Sequence, residues 1–297
     1  MKLFPGLFFF AVILTAAHCT NNQTQPGNTS VDTLPEKKIP LPEKEKIEKV
    51  IVTYHSLALS DSVVANIKSL HTMDEMATIL ALNRIDWVYL RIGDTLIVPD
   101  TFFTDLKMYS PFPDSLGEIK QVKKIIFISY PVEAFAAYET GKLIRWGPAS
   151  LGKRSTPTPT GLFFTNWKSK QDTSTVNGEW ILKWYFNFEN FEGVSLHQYD
   201  LPGYPASHSC VRLNADDAQW IYYWAEQWVL RCDTIAAYGT PVIIFGSYQF
   251  GQRPCWTHLT TESSRCNVLP DSLMREINSF LPTIMERQIS RDSLKAL

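Results

Sequence analysis

Lys124-Ile125-Ile126-Phe127-Ile128-Ser129-Tyr130 is an apolar run rich in β-branched side chains and reads as a strand. Glu133 to Tyr138 reads as a second strand, Glu139-Thr140-Gly141-Lys142 as a hairpin turn, and Leu143 to Trp146 as the returning strand. The fold that opens here is mainly β. Ser155-Thr156-Pro157-Thr158-Pro159-Thr160-Gly161 follows; each Pro lacks a ladder donor, so the segment is predicted to be a stiff extended loop. Strand-like segments recur at Leu162 to Trp167, Glu179 to Phe186, Val194 to His197 and Thr240 to Gly246. Between them lies one clear helix. Asn214 is a good N-cap, and Asp216 and Asp217 stand in the first turn, where the macrodipole favours acids. Trp220, Trp224 and Trp228 recur every fourth residue with Ile221 alongside, a face predicted to turn toward the core.

Working outward, Val50 to Asp100 reads as a compact unit. Val63, Val64, Ile67 and Leu70, then Met73, Met76, Ala77 and Leu80, fall at helix spacing, and Leu90 to Pro99 reads as a turn followed by a strand. Residues 101–122 hold Pro111, Pro113 and Gly117 and read as a connector. At the N-terminus Lys2 precedes an uninterrupted apolar stretch from Leu7 to Leu14, too short for a membrane span of roughly 20 residues, so residues 1–19 read as an export signal. Residues 20–49 are polar and read as a tether. In the C-terminal extension, residues 251–297, Leu273, Ile277, Phe280 and Leu281 predict a helix packed on the domain formed by residues 123–250.

Composition narrows the function. The 28 Lys plus Arg nearly balance the 30 Asp plus Glu, which leaves no basic footprint for a nucleic-acid partner. The five cysteines include no Cys-x-x-Cys pair. Cys255-x-x-His258 is a weak metal signal, so no metal or other cofactor is expected; in an exported chain Cys255 and Cys266 could instead form a disulfide.

The chemistry-bearing stretch is Ser207-His208-Ser209-Cys210-Val211-Arg212-Leu213, just ahead of the helix, with His197 upstream at the end of a strand-like segment. A thiol is mostly protonated at neutral pH, and an imidazole that takes its proton readies it to attack a carbonyl. Backbone N–H groups turning toward a helix start are candidate donors to an oxyanion. These residues, taken with the Lys124 to Gly161 region and Tyr238-Gly239-Thr240-Pro241-Val242, resemble the L,D-transpeptidase catalytic domain of the YkuD type. The resemblance implies a β-sandwich fold and acyl transfer on peptidoglycan stem peptides outside the cytoplasm. It further implies Cys210 as nucleophile, His197 as general base with His208 as the second candidate, and Ser207, Ser209 and Arg212 near the oxyanion or substrate. The sequence departs from that pattern where the family has Gly and this chain has Ser209, and in the short connection from His197 to Ser207.

Two further resemblances extend the reading. Leu80-Ala81-Leu82-Asn83, Gly93-Asp94-Thr95-Leu96 and Val98-Pro99 are similar to the Leu-x-x-Asn, Gly-Asp-x-Leu and Val-Pro elements of the LysM family, which implies a small βααβ domain that binds glycan. Ala16-Ala17-His18-Cys19 resembles a lipoprotein cleavage box, which implies lipid attachment at Cys19 and a membrane contact through that anchor alone. Plain secretion is the alternative. The anchor reading predicts that the native protein partitions into the membrane fraction and that Cys19→Ala releases it soluble or uncleaved; soluble wild-type protein would leave secretion.

Overall fold

The computed structural model describes residues 51–174 and 176–295; the export segment, the tether and Cys19 lie outside the described residues. Residues 50–297 form one compact unit. It opens with β1 (Tyr54–Ala58), α1 (Asp61–Leu70), α2 (Met73–Asn83) and β2 (Thr95–Pro99), with β1 and β2 antiparallel. Both helix starts are capped from the sequence. Ser60 accepts from the Val63 N–H, and Thr72 and Glu75 form a reciprocal capping box. Ile67, Met76 and Ile79 pack on Leu96 and Val98. Leu70 and Met73, expected to face inward, are 59% and 72% exposed. The chain becomes extended at His71 and Thr72 between them, so both sit at helix ends that overhang the small core. Asn83 clamps α2 to β2: its side chain accepts from Ile97 N–H at 2.9 Å and donates to the Ile97 carbonyl at 2.8 Å.

The stretch 101–122 is threaded through the fold, because Tyr109, Phe112, Leu116, Ile119 and Val122 are all buried in the larger core. Beyond it come β3 (Ile125–Ser129), β4 (Ala134–Glu139), β5 (Lys142–Ser150), β6 (Gly161–Phe164), β7 (Lys168–Thr173), β8 (Ile181–Glu189), β9 (Val194–Gln198) and β10 (Val211–Leu213). Then follow α3 (Ala215–Trp224), β11 (Val229–Arg231), β12 (Thr234–Ala237), β13 (Pro241–Phe245), α4 (Pro270–Asn278) and α5 (Leu281–Lys295). One sheet of nine strands runs in the order β6-β13-β3-β4-β5-β10-β9-β8-β7. The β4–β5 hairpin turns at Thr140 and Gly141, both at positive φ, as a two-residue turn that matches strand twist demands.

Side-chain alternation places β3 between two cores. Ile125 and Phe127 face Phe112, Leu273 and Ile277, whereas Ile126 and Ile128 face Phe186, Leu196, Val211 and Ile221. The expected sandwich is realised as a single curled sheet. Phe163 of β6 meets Phe188 of β8 at 5.4 Å across the second core, yet hydrogen bonding continues unbroken because β5 pairs with both β4 and β10.

Two expectations need correction. The core face of α3 is centred on Asp217, Ala218 and Ile221; Trp220 and Trp224 pack against the same core but are only half-buried, and they stack on each other at 4.9 Å. Arg145 lies over Trp220 and Lys124 over Trp224, so cations cover what the core leaves open of these rings, and Trp228 falls beyond the helix. The C-terminal segment is two helices rather than one. The break falls at Ser279 and Phe280: Pro282 has no N–H with which to continue the α4 ladder but is tolerated in the first turn of α5. Cys255 is joined to Cys266 in the disulfide that their spacing suggests.

Gly147 of β5 shows how closely α3 approaches the sheet. A Cβ there would lie 2.0 Å from Asp217 Oδ2 and 2.7 Å from the Phe135 ring, and the same Asp217 accepts from Arg145 at 2.6 Å. Gly147→Ala is expected to cost about 1–3 kcal/mol through overpacking. The corresponding loss in Tm is roughly 2–4 °C per kcal/mol, read by thermal melting; an unchanged Tm would show that α3 yields freely.

Candidate active site

The site begins as a pairing of short strands. β9 and β10 run parallel, with Arg212 opposite His197, and the chain enters β10 directly from Cys210. Ser195 and His197 are two apart on β9 and therefore share a face. Ser195 Oγ lies 3.4 Å from Cys210 Sγ. Cys210, His197, His208, Ser207 and Arg212 all line one cavity of about 220 Å³, whose lining also includes Trp180, Tyr185 and Tyr199. The sequence-predicted residues are thus brought together, including the two histidines on different segments.

The two imidazoles are held in opposite ways. His197 Nδ1 is 2.9 Å from the Gln198 carbonyl, which can only accept, so Nδ1 carries the proton and Nε2 keeps a free lone pair. His208 Nε2 is 2.8 Å from Lys153 Nζ, an ammonium that can only donate. The neutral His208 ring therefore carries its proton on Nδ1, a buried atom with no partner among the described residues. His197 has a lone pair to offer; His208 in this arrangement has none.

Burial sets the charges. His197 is 4% exposed, and desolvation lowers its pKa to about 4, so the ring is neutral at physiological pH. Desolvation also holds His208 below its ordinary value, helped by the Lys153 charge. Burial pushes the Cys210 thiol up, opposed by hydrogen bonds from Ser195 and by the positive Arg212. The resting pair is thus a thiol beside a neutral imidazole.

Ser207 and Arg212 act on the loop itself. The Ser207 hydroxyl donates to the Cys210 carbonyl, its N–H donates to the Leu151 carbonyl at 3.0 Å, and its own carbonyl accepts from Lys153 N–H at 3.0 Å. Arg212 donates to the carbonyls of Asp200 and Ala206 and lies 4.5 Å over the Tyr199 ring, so its guanidinium ties the connection between β9 and Ser207. Ser209 has φ +77°, the left-handed region that favours glycine. The turn ahead of Cys210 is therefore kept in glycine-type geometry by a serine.

Lys153, Ser195 and Gln198 were not legible as site residues in the sequence. Ser195 had a usable signal in its spacing of two from His197 on one strand. Lys153 lies in the Gly152-Lys153 turn, a landmark of the resemblance that marked the turn but not its contact with His208; the Gln198 carbonyl had no signal, since a backbone atom leaves no motif. Among the described residues no group of three or more His, Cys, Asp or Glu side chains is arranged to hold a metal ion.

Comparison with known proteins places this site in a family context. Residues 123–244 match the family model for YkuD, the L,D-transpeptidase catalytic domain. L,D-transpeptidase 1 of Mycobacterium tuberculosis (strain ATCC 25618 / H37Rv) is 30% identical over 109 residues, which cover 32% of this chain and 43% of that protein. The match thus spans less than half the length of this curated relative. Among solved structures, the L,D-transpeptidase (residues 123-326) from Xylanimonas cellulosilytica DSM 15894 is 23% identical at a TM-score of 0.37, covering 56% of this chain and 78% of that one. The crystal structure of Mycobacterium tuberculosis L,D-transpeptidase 1 is 25% identical at a TM-score of 0.32, covering 41% and 62%.

The Ser209 geometry generates a prediction. A non-glycine residue in the left-handed region costs on the order of 1 kcal/mol, so Ser209→Gly is expected to raise Tm by roughly 2–4 °C and to preserve Cys210 reactivity. Ser209→Val should do the opposite on both measures, because a β-branched residue is poorly accommodated at positive φ. Equal melting of all three proteins would show that the turn rearranges.

Proposed function

We propose that this protein is a cysteine-dependent L,D-transpeptidase that remodels peptidoglycan through a thioester acyl-enzyme. The observation that carries the reading is the pair of opposite imidazole tautomers around one thiol, within a stretch similar to L,D-transpeptidase catalytic domains. His197, with Nε2 free, takes the Cys210 proton as the sulfur attacks the carbonyl of the L-centred bond before the terminal D-alanine of a donor stem. The departing amine of D-alanine receives that proton from His197. A thioester then links the stem to Cys210. The acceptor amine of a second stem attacks the thioester and gives its proton to His197, and sulfur leaves to regain a proton. His208, with its proton on Nδ1, serves as a polar donor beside the cavity rather than as a base. Ser207 and Arg212 hold the loop that presents backbone N–H groups to the oxyanion.

The cellular setting follows the same proposal: an exported enzyme, lipid-anchored through Cys19, with the Tyr54–Pro99 unit gripping glycan as LysM modules do. The βααβ order of that unit and the Asn83 clamp support it. No described helix is long and apolar enough to cross a membrane.

Muropeptide mass spectrometry after incubation with tetrapeptide-bearing peptidoglycan tests the reaction. Direct cross-links with released D-alanine are expected. Shortened, unlinked stems would make the enzyme an L,D-carboxypeptidase, and unchanged muropeptides with an inert Cys210 would make it a peptidoglycan-binding lipoprotein. Cys210→Ala should abolish turnover, and His197→Ala should lower acylation by roughly 100-fold to 10,000-fold.

The pH dependence carries a definite sign. A base works only when neutral, and His197 is lowered to about 4 by burial, so the acid limb of acylation should fall near pH 4 rather than near the ordinary imidazole value. The Cys210 thiol is raised, so its alkylation by iodoacetamide should keep accelerating with pH beyond the ordinary thiol range. A flat alkylation profile from neutral pH downward would instead mean a resting thiolate–imidazolium pair and would overturn this charge assignment.

A further inference from the structure

The loop from β9 to Ser207 is short, and it is fastened from outside the matched catalytic stretch. Asp86, just past α2, makes two reciprocal bonds with it. Leu201 N–H donates to Asp86 Oδ2 at 2.8 Å, and Asp86 N–H donates to the Leu201 carbonyl at 2.8 Å. Ile85 forms an antiparallel bridge with Pro202. Leu201 is 1% exposed, so its N–H has no water to replace a lost partner.

The same corner of the chain reaches the other side of the motif. Arg84 ends α2 at φ 54° and is buried between Trp146 and Trp256, donating to the carbonyls of Ala81, Leu82 and Val132. The neighbouring Glu133 is fully buried and accepts from Leu151 N–H at 3.1 Å, and the Leu151 carbonyl accepts from Ser207 N–H. Two routes from Arg84-Ile85-Asp86 thus converge on Ser207, whose hydroxyl holds the Cys210 carbonyl.

We propose that Arg84-Ile85-Asp86 is a positioning element for the active site, with Asp86 the positioning residue that fixes the His197-to-Ser207 connection and through it the placement of Cys210. The Tyr54–Pro99 unit is then an integral part of the catalytic apparatus and not only an appended module. This inference concerns the site assigned under the proposed function, but its consequences for loop order and thiol access do not depend on the reaction. Removing the acceptor for Leu201 N–H frees the loop, admits water to the half-buried thiol and misaligns it for attack. Misplacement on the scale of 1 Å can cost about 100-fold in rate.

The test compares Asp86→Ala, which removes the acceptor, with Asp86→Asn, whose side-chain oxygen keeps it. In Asp86→Ala, amide hydrogen exchange should accelerate at Leu201 and at Ser207 to Cys210 but not in β3 or β4. Iodoacetamide should alkylate Cys210 at a rate changed at least about tenfold as the half-buried thiol is displaced, and turnover of stems should fall at least about tenfold. Asp86→Asn should stay within about twofold of wild type on all three measures, a rescue that follows from the retained acceptor. Wild-type exchange and alkylation in Asp86→Ala would overturn the proposal, as would acceleration spread evenly over β3 and β4, which means global loosening. If Asp86→Ala proves too unstable to isolate, Asp86→Asn measured alone still decides, since a tenfold change despite a retained acceptor contradicts the mechanism. Wild-type protein that turns over no stems while the exchange and alkylation differences persist would remove the transpeptidase reading and leave the positioning role standing.

Discussion

Three parallel residue pairs hold the site together: Val211 with Leu196, Arg212 with His197, and Leu213 with Gln198. Parallel pairing of two segments so close in sequence requires the intervening chain to leave the sheet and return in the same direction. Residues 199–210 make that return, and nearly every polar contact in the region serves to keep it in place. Ser150 accepts from Ala206 N–H and donates to the Tyr204 carbonyl, Arg212 holds Asp200 and Ala206, and Asp86 holds Leu201. Because β10 is also hydrogen-bonded to β5, the returning strand joins the two halves of the curled sheet. The thiol therefore sits at the seam of the fold.

The seam explains the electrostatics. A group between two halves of a sheet is desolvated, and desolvation opposes charge on both members of a thiol–imidazole pair. Hence Cys210 is held as a thiol and His197 as a neutral ring. A neutral base is useful only in the right tautomer. At His197 a carbonyl selects it, and at His208 an ammonium selects the other, so two chemically identical side chains receive different chemistry from their partners. The Nδ1 of His208 is a buried imidazole nitrogen left without a partner among the described residues.

Aromatic residues divide along similar lines. Trp180 and Tyr199 face the cavity, whereas Trp220 and Trp224 form a stacked pair flanked by Arg145 and Lys124. Their four-residue spacing marks one side of α3, which packs at the edge of the core and leaves part of each ring for the cations. Periodicity reports which residues share a side of a helix, and only the neighbouring strand decides whether that side meets apolar atoms or cations.

The local chemistry of the chain was legible residue by residue. The β3–β5 hairpin, the Asn214 cap, the Pro-containing loop and the Cys210 motif each follow from steric and hydrogen-bonding rules acting over a few positions. The pairing of Cys255 with Cys266 was suggested by their spacing but left open, and Ser209 was visible as a departure from Gly without its φ being fixed; the fold decided both. The three-residue strand β10 was too short to carry a pattern, and β7 is too polar and exposed to show one. Tertiary structure alone decided which imidazole keeps a lone pair, because Gln198 acts through its backbone and Lys153 arrives from a distant loop. It alone brought Ile85 and Asp86 against Leu201 and Pro202. Sequence determines what each residue can donate, accept or bury; which partner it meets is settled by closure of the sheet, a long-range event that leaves no local trace.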